Sequence, residues 1–310
     1  MGETMEYTEE QLKQLRSIDL ELYRKLTEIC RKHELRFVTG FGTTLGAIRH
    51  KGFIPWDDDM DFLMPRKDYE KLIRVAPEEL KGTRYALLEP RLTENYVMSF
   101  AKLCRRDTVF LEEVDEHVRY HNGICIDIFP MDYWPQDKKR RDHVAFRCYV
   151  LARLSSLATY GKPKLPGTLT GSRRKLALAG CLFIHGLLRL FGLTTPKLYR
   201  QYLKYAQCTS PEEADHYVTD MCWCWIRKEG KIARHMFGLQ YKDTDLFTPL
   251  YVEFENTTIP VPEKYDSYLT IAYRDYMQLP PVENRHSHKP SVLIFPEEYR
   301  EKYRKKRERT

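Results

Sequence analysis

The sequence predicts an α+β protein with a mixed sheet core, flanking helices and a helical insertion. Three observations lead there. A long segment with helical apolar period opens the chain, short runs of β-branched and aromatic residues follow, and a basic, apolar helical stretch separates them from the last strands.

Taken in order, Thr8 starts T-E-E-Q, a capping box in which Gln11 reaches back to the helix start. Leu12, Leu15, Ile18, Leu22, Leu26 and Ile29 then recur at helical spacing, which predicts an amphipathic helix over residues 9–33. Arg36 to Thr39 reads as a short strand. It runs into GFGTTLG, where Gly40, Gly42 and Gly46 permit a tight turn and close backbone approach. Thr44 to His50 forms a helical turn or short helix, Gly52 breaks it, and Met60 to Met64 reads as a strand. Pro65 opens a further helix, since its fixed φ suits a first turn. Extended segments follow near 84–89, 96–104 and 107–112. In the strand Ile124 to Phe129, the isoleucines at 124, 126 and 128 share one face, and Cys125, Asp127 and Phe129 share the other. A long helix is expected from Lys138 to Tyr160.

Residues 161–172, GKPKLPGTLTGS, have the composition of a linker. The apolar run Leu176 to Leu193 contains His185, Arg189 and three glycines, which ranks a membrane span below two other readings. One is a buried helix. The other is an interfacial helix that sets Arg173, Arg174, Lys175 and Arg189 near lipid headgroups. Strands in LYVEFENTTIPVP and a helix from Tyr265 to Met277 close the chain. The expected domains are a catalytic core over 1–160, a mainly helical insertion over 161–240, and a 241–310 segment that completes the catalytic domain.

Composition narrows the function classes. The 42% hydrophobic and 31% charged content is that of an ordinary globular protein, not a disordered or fibrous one. A net charge of +7 suits an anionic partner such as a nucleotide, an acidic glycan or a membrane surface, and falls short of a nucleic-acid-binding signature. The tail YREKYRKKRERT reads as a solvated helix. The first residues lack a charged region followed by an apolar one, so no secretory signal is expected. Eight scattered cysteines suit a reducing cytoplasm better than a disulfide framework. Cys222 and Cys224, in CWCW, are one residue too close for a CxxC zinc knuckle and read as buried thiols.

The chemistry concentrates in HKGFIPWDDDMDF, residues 50–62. Asp59 and Asp61, one residue apart on a predicted strand, point to one side. Convergent carboxylates suit a hard cation such as Mg²⁺, with Mn²⁺ as a substitute. Asp127, alone among isoleucines, either completes that site, acts as a base, or pairs with a core cation. D-x-D also arises by chance, and Asp57 and Asp58 read as turn or support residues. The Gly-Thr turn upstream and the cations Arg49, His50 and Lys51 add the remaining parts for phosphoryl transfer. Lys102 is a candidate phosphate contact or a plain exposed strand lysine. No G-x-x-x-x-G-K-[ST], G-x-S-x-G or H-E-x-x-H is present.

The run GFGTTLGAIRHKGFIPWDDDMDF, residues 40–62, resembles the signature of the LicD family of phosphocholine transferases, distantly similar to fukutin and the fukutin-related protein. ICIDIFPMD, 124–132, resembles a second family block. YRDYMQLPPVENRHSH, 273–288, resembles the C-terminal one, with Arg274 in place of the usual glycine. The resemblance implies a nucleotidyltransferase (polymerase-β-like) fold. It implies Mg²⁺ on Asp59, Asp61 and Asp127, and phosphate contacts from Gly42, Thr43, Thr44, Arg49, His50, Lys51, Lys102 and His288. It further implies a CDP-alcohol donor, CDP-choline above all, with a glycan or lipid-linked glycan as acceptor, as in teichoic acid or lipopolysaccharide modification. Trp56, Tyr133 and Trp134 are the candidate aromatics for a choline head. The implied location is cytoplasmic, with peripheral contact at the inner membrane surface and no nucleic-acid partner. Two other readings stay open: a D-x-D glycosyltransferase, and a basic membrane-associated scaffold without catalysis.

Overall fold

A computed structural model of the chain describes residues 6–112, 120–163, 165, 169–219, 221, 227–228, 231–232, 241–242, 246–285, 287–288 and 290–307. CWCW, residues 222–225, lies outside them. The chain divides into two compact units. The first comprises Met1–Leu88, Phe100–Met131 and Leu239–Thr310, the second Glu89–Ser99 and Asp132–Gly238. Among the described residues the architecture is α+β, as the sequence predicts.

In the first unit, α1 (Glu9–Lys32) starts on the predicted capping box and buries Leu15, Ile18, Leu22, Leu26 and Ile29. β1 (Val38–Thr39) leads into α2 (Phe41–His50), and β2 (Asp61–Pro65) into α3 (Arg66–Glu79). After β3 (Tyr85–Leu88), β4 (Ala101–Arg105) and β5 (Val109–Glu112) comes β6 (Cys125–Pro135), which crosses from the first unit into the second. The sheet order is β1-β2-β6-β4-β3. It is mixed: β2 and β6 run parallel, whereas β1/β2, β4/β6 and β3/β4 are antiparallel. Phe62, Met64, Leu103, Ile126 and Ile128 face α1 and α3 in one continuous apolar core.

In the second unit, α4 (Lys138–Thr159), α5 (Gly171–Leu190) and α6 (Thr195–Ala206) are followed by β7 (Ala214–Thr219) and a minimal hairpin, β8 (Arg227–Lys228) with β9 (Lys231–Ile232). α4 and α6 enclose a core of Trp134, Val144, Cys148, Tyr199 and Tyr202. The chain re-enters the first unit at β10 (Tyr241–Lys242). The β11 (Pro249–Phe254)/β12 (Thr257–Pro262) hairpin, α7 (Tyr265–Tyr273), β13 (Pro290–Ile294) and α8 (Pro296–Arg307) then follow. Among the described residues no single helix is long and apolar enough to cross a membrane; α5 and α6 pass only as a pair bent by 93°.

Several boundaries differ from the sequence expectations. The strand expected over 96–104 begins at Ala101, and the one expected to end at Phe129 runs on to Pro135. The helix expected to reach Met277 stops at Tyr273, because Arg274 adopts a φ of +62° that ends the helical ladder. The expectation that the cysteines stay unpaired is corrected at Cys104 and Cys125, which form a disulfide. They are register partners on β4 and β6, so the sheet brings together thiols that are 21 residues apart in the chain.

Candidate active site

The predicted carboxylates meet on the parallel pair at the middle of the first unit's sheet. Asp61 and Asp127 are register partners on β2 and β6, which places both side chains on one face. The Asp127 N–H donates to the Met60 carbonyl at 2.9 Å, fixing that rung. Asp59 enters from the extended run before β2. Burial raises the Asp61 carboxyl well above the usual range, and the nearby charges of Asp59, Asp127 and Asp57 raise it further. Asp59 is likewise raised, by burial first, with His288 pulling the other way. Asp57 is raised well above its ordinary value by burial and by Asp59 and Asp58.

Three cations answer this charge. Lys102, opposite Asp127 on β4, donates to both its carboxylate oxygens at 2.7 and 2.9 Å. Burial pulls the Lys102 ammonium down, but Asp127, with Asp59 and Asp61 behind it, leaves it raised. Lys102 is thus the core cation for Asp127. His288 donates from its backbone N–H at 3.1 Å and from Nδ1 at 3.0 Å to Asp58, and lies 3.8 Å from Asp59. Its bond to Asp58 outweighs burial, and with Asp59 it pushes the imidazole up to about 10. Arg16, on α1, donates to the carbonyls of Ile54, Pro55 and Asp57 and so ties down the loop that carries the aspartates.

The Gly-Thr turn sits against these carboxylates. A Cβ on Gly42 would come within 2.6 Å of Asp57 Oδ2, so a larger residue there would displace the Asp57 carboxylate. The Thr43 hydroxyl accepts the Asp61 N–H at 2.8 Å, joining the first turn of α2 to β2. Thr44 faces away, fully buried, with its hydroxyl 2.8 Å from that of Thr39. Phe41, at a φ of +39°, has its N–H held by the Tyr268 hydroxyl at 2.7 Å.

The other predicted residues divide. Arg49 donates to the Tyr276 carbonyl at 2.8 Å and to His50 Nε2 at 2.9 Å, which docks the C-terminal block onto α2. Lys51 points to solvent and pairs with Glu253 at 3.3 Å. Trp56 carries the Arg285 guanidinium 4.8 Å from its ring centroid. Tyr133 and Trp134 belong to the second unit. There Tyr133 stacks on Tyr217 and Trp134 is part of the apolar core.

Sequence reasoning missed Tyr7, Arg16 and Asp19. The Tyr7 hydroxyl donates to the fully buried Asp58, which His288 also contacts. Asp19 is fully buried on α1, and neither carboxylate oxygen has a hydrogen-bond partner among the described residues. Burial holds its carboxyl well above the ordinary range, with Asp59 and Asp58 adding to the rise. A signal existed for Asp19: it occupies a core position of the helical repeat, between Leu15 and Leu22.

The donor set suits a hard divalent cation. Asp59, Asp61 and Asp127 offer carboxylate oxygens only, and after burial their mutual repulsion adds to the rise of Asp59 and Asp61, which a cation would relieve. Among the described residues, the group whose ligand atoms lie within 4.8 Å of one another is Asp58, Asp59 and His288 rather than Asp59, Asp61 and Asp127; a protonated imidazole has no lone pair to give, so His288 acts there as a counter-charge.

The chain is similar to known proteins. Residues 34–149 match the family model described as LicD/FKTN/FKRP, nucleotidyltransferase domain. The chain is 26% identical over 265 residues to the lipopolysaccharide cholinephosphotransferase LicD of Haemophilus influenzae, covering 84% of this chain and 89% of that protein. An uncharacterised protein of Rickettsia typhi is 27% identical over 118 residues, 38% of this chain and 35% of its own length. Another, from Rickettsia prowazekii, is 34% identical over 58 residues, 19% of this chain and 22% of its own.

Proposed function

We propose that this chain, whose residues 34–149 match the LicD/FKTN/FKRP nucleotidyltransferase domain, transfers phosphocholine. The donor is CDP-choline, the acceptor a hydroxyl of a lipopolysaccharide-type glycan or its lipid-linked precursor, and CMP is released. The observation that carries this reading is the rung of Asp61 and Asp127 with Asp59 beside it, in a chain aligned over 84% of its length with a cholinephosphotransferase. The mixed sheet, with D-x-D entering one strand and a third carboxylate on its parallel neighbour, supports a nucleotidyltransferase-type core.

Asp59, Asp61 and Asp127 would hold Mg²⁺, which when bound supplies charge neutralisation for the donor's diphosphate. The chain's own residues do the rest. The first turn of α2, at Gly42 and Thr43, presents backbone N–H groups to phosphate oxygens. His288, held charged by Asp58, sits beside Asp59 as a second cation for developing negative charge. The acceptor oxygen forms a bond to the distal phosphorus as the bond to the CMP oxygen breaks, and Asp127 takes the hydroxyl proton. Lys102 holds the Asp127 carboxylate in place while it does so. Trp56 already stacks a guanidinium, the same contact a quaternary ammonium makes with an aromatic face, so choline would replace Arg285 there.

CMP release from CDP-choline tests the proposal. Wild-type protein with Mg²⁺ releases CMP, EDTA stops it, and Asp59→Ala or Asp61→Ala lowers the rate by at least about a hundredfold. Full activity in both variants would refute the metal assignment. CDP-ethanolamine, CDP-glycerol, CDP-ribitol and UDP-sugars in the same assay define the donor, and turnover of UDP-sugars alone would favour a glycosyltransferase.

A further inference from the structure

A helix on a protein surface normally turns its apolar stripe inward. α5 does the reverse. Leu176, Phe183, Leu187 and Leu190 recur at intervals of seven, four and three residues and form one stripe, and it faces solvent. Leu176, Phe183, Leu190 and the adjoining Phe191 are each more than two-thirds exposed. The inward side is held by Leu188, the one buried residue of the helix, and by His185, whose Nδ1–H donates to the Leu157 carbonyl of α4 at 2.7 Å. The stripe is therefore not a core face awaiting better packing, because the helix is already anchored through its opposite side.

Charge points to what covers it. From His143 to Pro211 the sequence has eleven Lys and Arg and no Asp or Glu, which leaves 40 bases against 44 acids in the rest of the chain. The chain's net positive charge thus comes from the segment that carries the exposed stripe. Arg173, Arg174 and Lys175 are exposed in the first turn of α5, with Arg189 near its end. We propose that α5 lies flat in the interface of an anionic bilayer, with Leu176, Phe183, Leu187, Leu190 and Phe191 among the acyl chains and the basic residues among lipid phosphates. A transmembrane course for the α5–α6 pair, which is bent by 93°, is disfavoured by α6, whose Leu198, Tyr199 and Tyr202 are already buried in the protein. A soluble anionic polymer would use the cations but has no need of an apolar stripe.

The proposal rests on the second unit alone, and its test needs no turnover, so it stands or falls separately from the phosphocholine reading. Full-length protein is sedimented with vesicles of phosphatidylcholine, with or without phosphatidylglycerol. Partitioning onto the phosphatidylglycerol vesicles is expected to be at least about tenfold stronger, and to weaken with salt. Phe183→Glu with Leu187→Glu should abolish binding while leaving far-UV circular dichroism unchanged. Arg173→Gln, Arg174→Gln and Lys175→Gln together should remove the preference for anionic lipid. The proposal is overturned if wild-type protein ignores both vesicles, if the glutamate pair binds as well as wild type, or if soluble inorganic polyphosphate displaces the protein completely.

Discussion

Replacing Lys102 by methionine tests whether the sheet holds Asp127 by charge. Two contacts, at 2.7 and 2.9 Å, join side chains that are only 24% and 16% exposed. At an effective dielectric constant of about 20, that separation corresponds to roughly 6 kcal/mol of attraction. Regained hydration of the freed carboxylate and the partial exposure of both groups reduce this to an expected loss of about 3 kcal/mol, the range for breaking a shielded pair from one side. Asp127→Asn leaves Lys102 facing Asp59 and Asp61, so it should cost less, about 1–2 kcal/mol. The double variant removes both charges and should be at least about 1.5 kcal/mol more stable than the two single losses would predict. Urea denaturation at neutral pH, low salt and with EDTA present measures all four proteins without interference from metal. Additivity within about 0.5 kcal/mol would refute the pairing as an energetic unit.

Three further outcomes are expected. Gly42→Ala places a methyl 2.6 Å from Asp57 Oδ2, so the Asp57 carboxylate must shift; CMP release should fall at least about tenfold, with about 1–3 kcal/mol lost in urea denaturation. Because Asp19 is raised in the folded state, its favourable contribution is complete below pH of about 4 and is lost as pH rises toward its folded pKa. Asp19→Asn should therefore gain on wild type by up to about 1.4 kcal/mol per pH unit above that point, and parallel stability–pH curves would contradict the burial argument. Cys104→Ser with Cys125→Ser opens a 21-residue loop and should lower stability by about 3 kcal/mol, whereas identical curves with and without dithiothreitol for wild type would show that the bond adds nothing.

Much of the site was legible because its residues are local. Gly42, Thr43, Asp59 and Asp61 lie within 20 positions, and strand alternation alone predicts that Asp59 and Asp61 converge. The long helices were legible for a similar reason: a capping box and an apolar period act over a few residues, and α1 begins at Glu9 as its T-E-E-Q start predicts. The α5 stripe was visible as an apolar run, but not the direction it faces.

By itself, then, the sequence determined the α+β class, the amphipathic helices and the D-x-D with its glycine-threonine turn, since these depend on interactions between near neighbours in the chain. Only the tertiary structure decided which distant groups meet. Parallel pairing of β2 with β6 put Asp127 beside Asp61, and antiparallel pairing of β4 with β6 gave Lys102 to Asp127 and Cys104 to Cys125. Packing of the C-terminal block set His288 on Asp58, and packing of α1 left Asp19 buried without a hydrogen-bond partner among the described residues. Strand register and helix docking are settled by burial summed over the whole core, and no short stretch of sequence carries that sum.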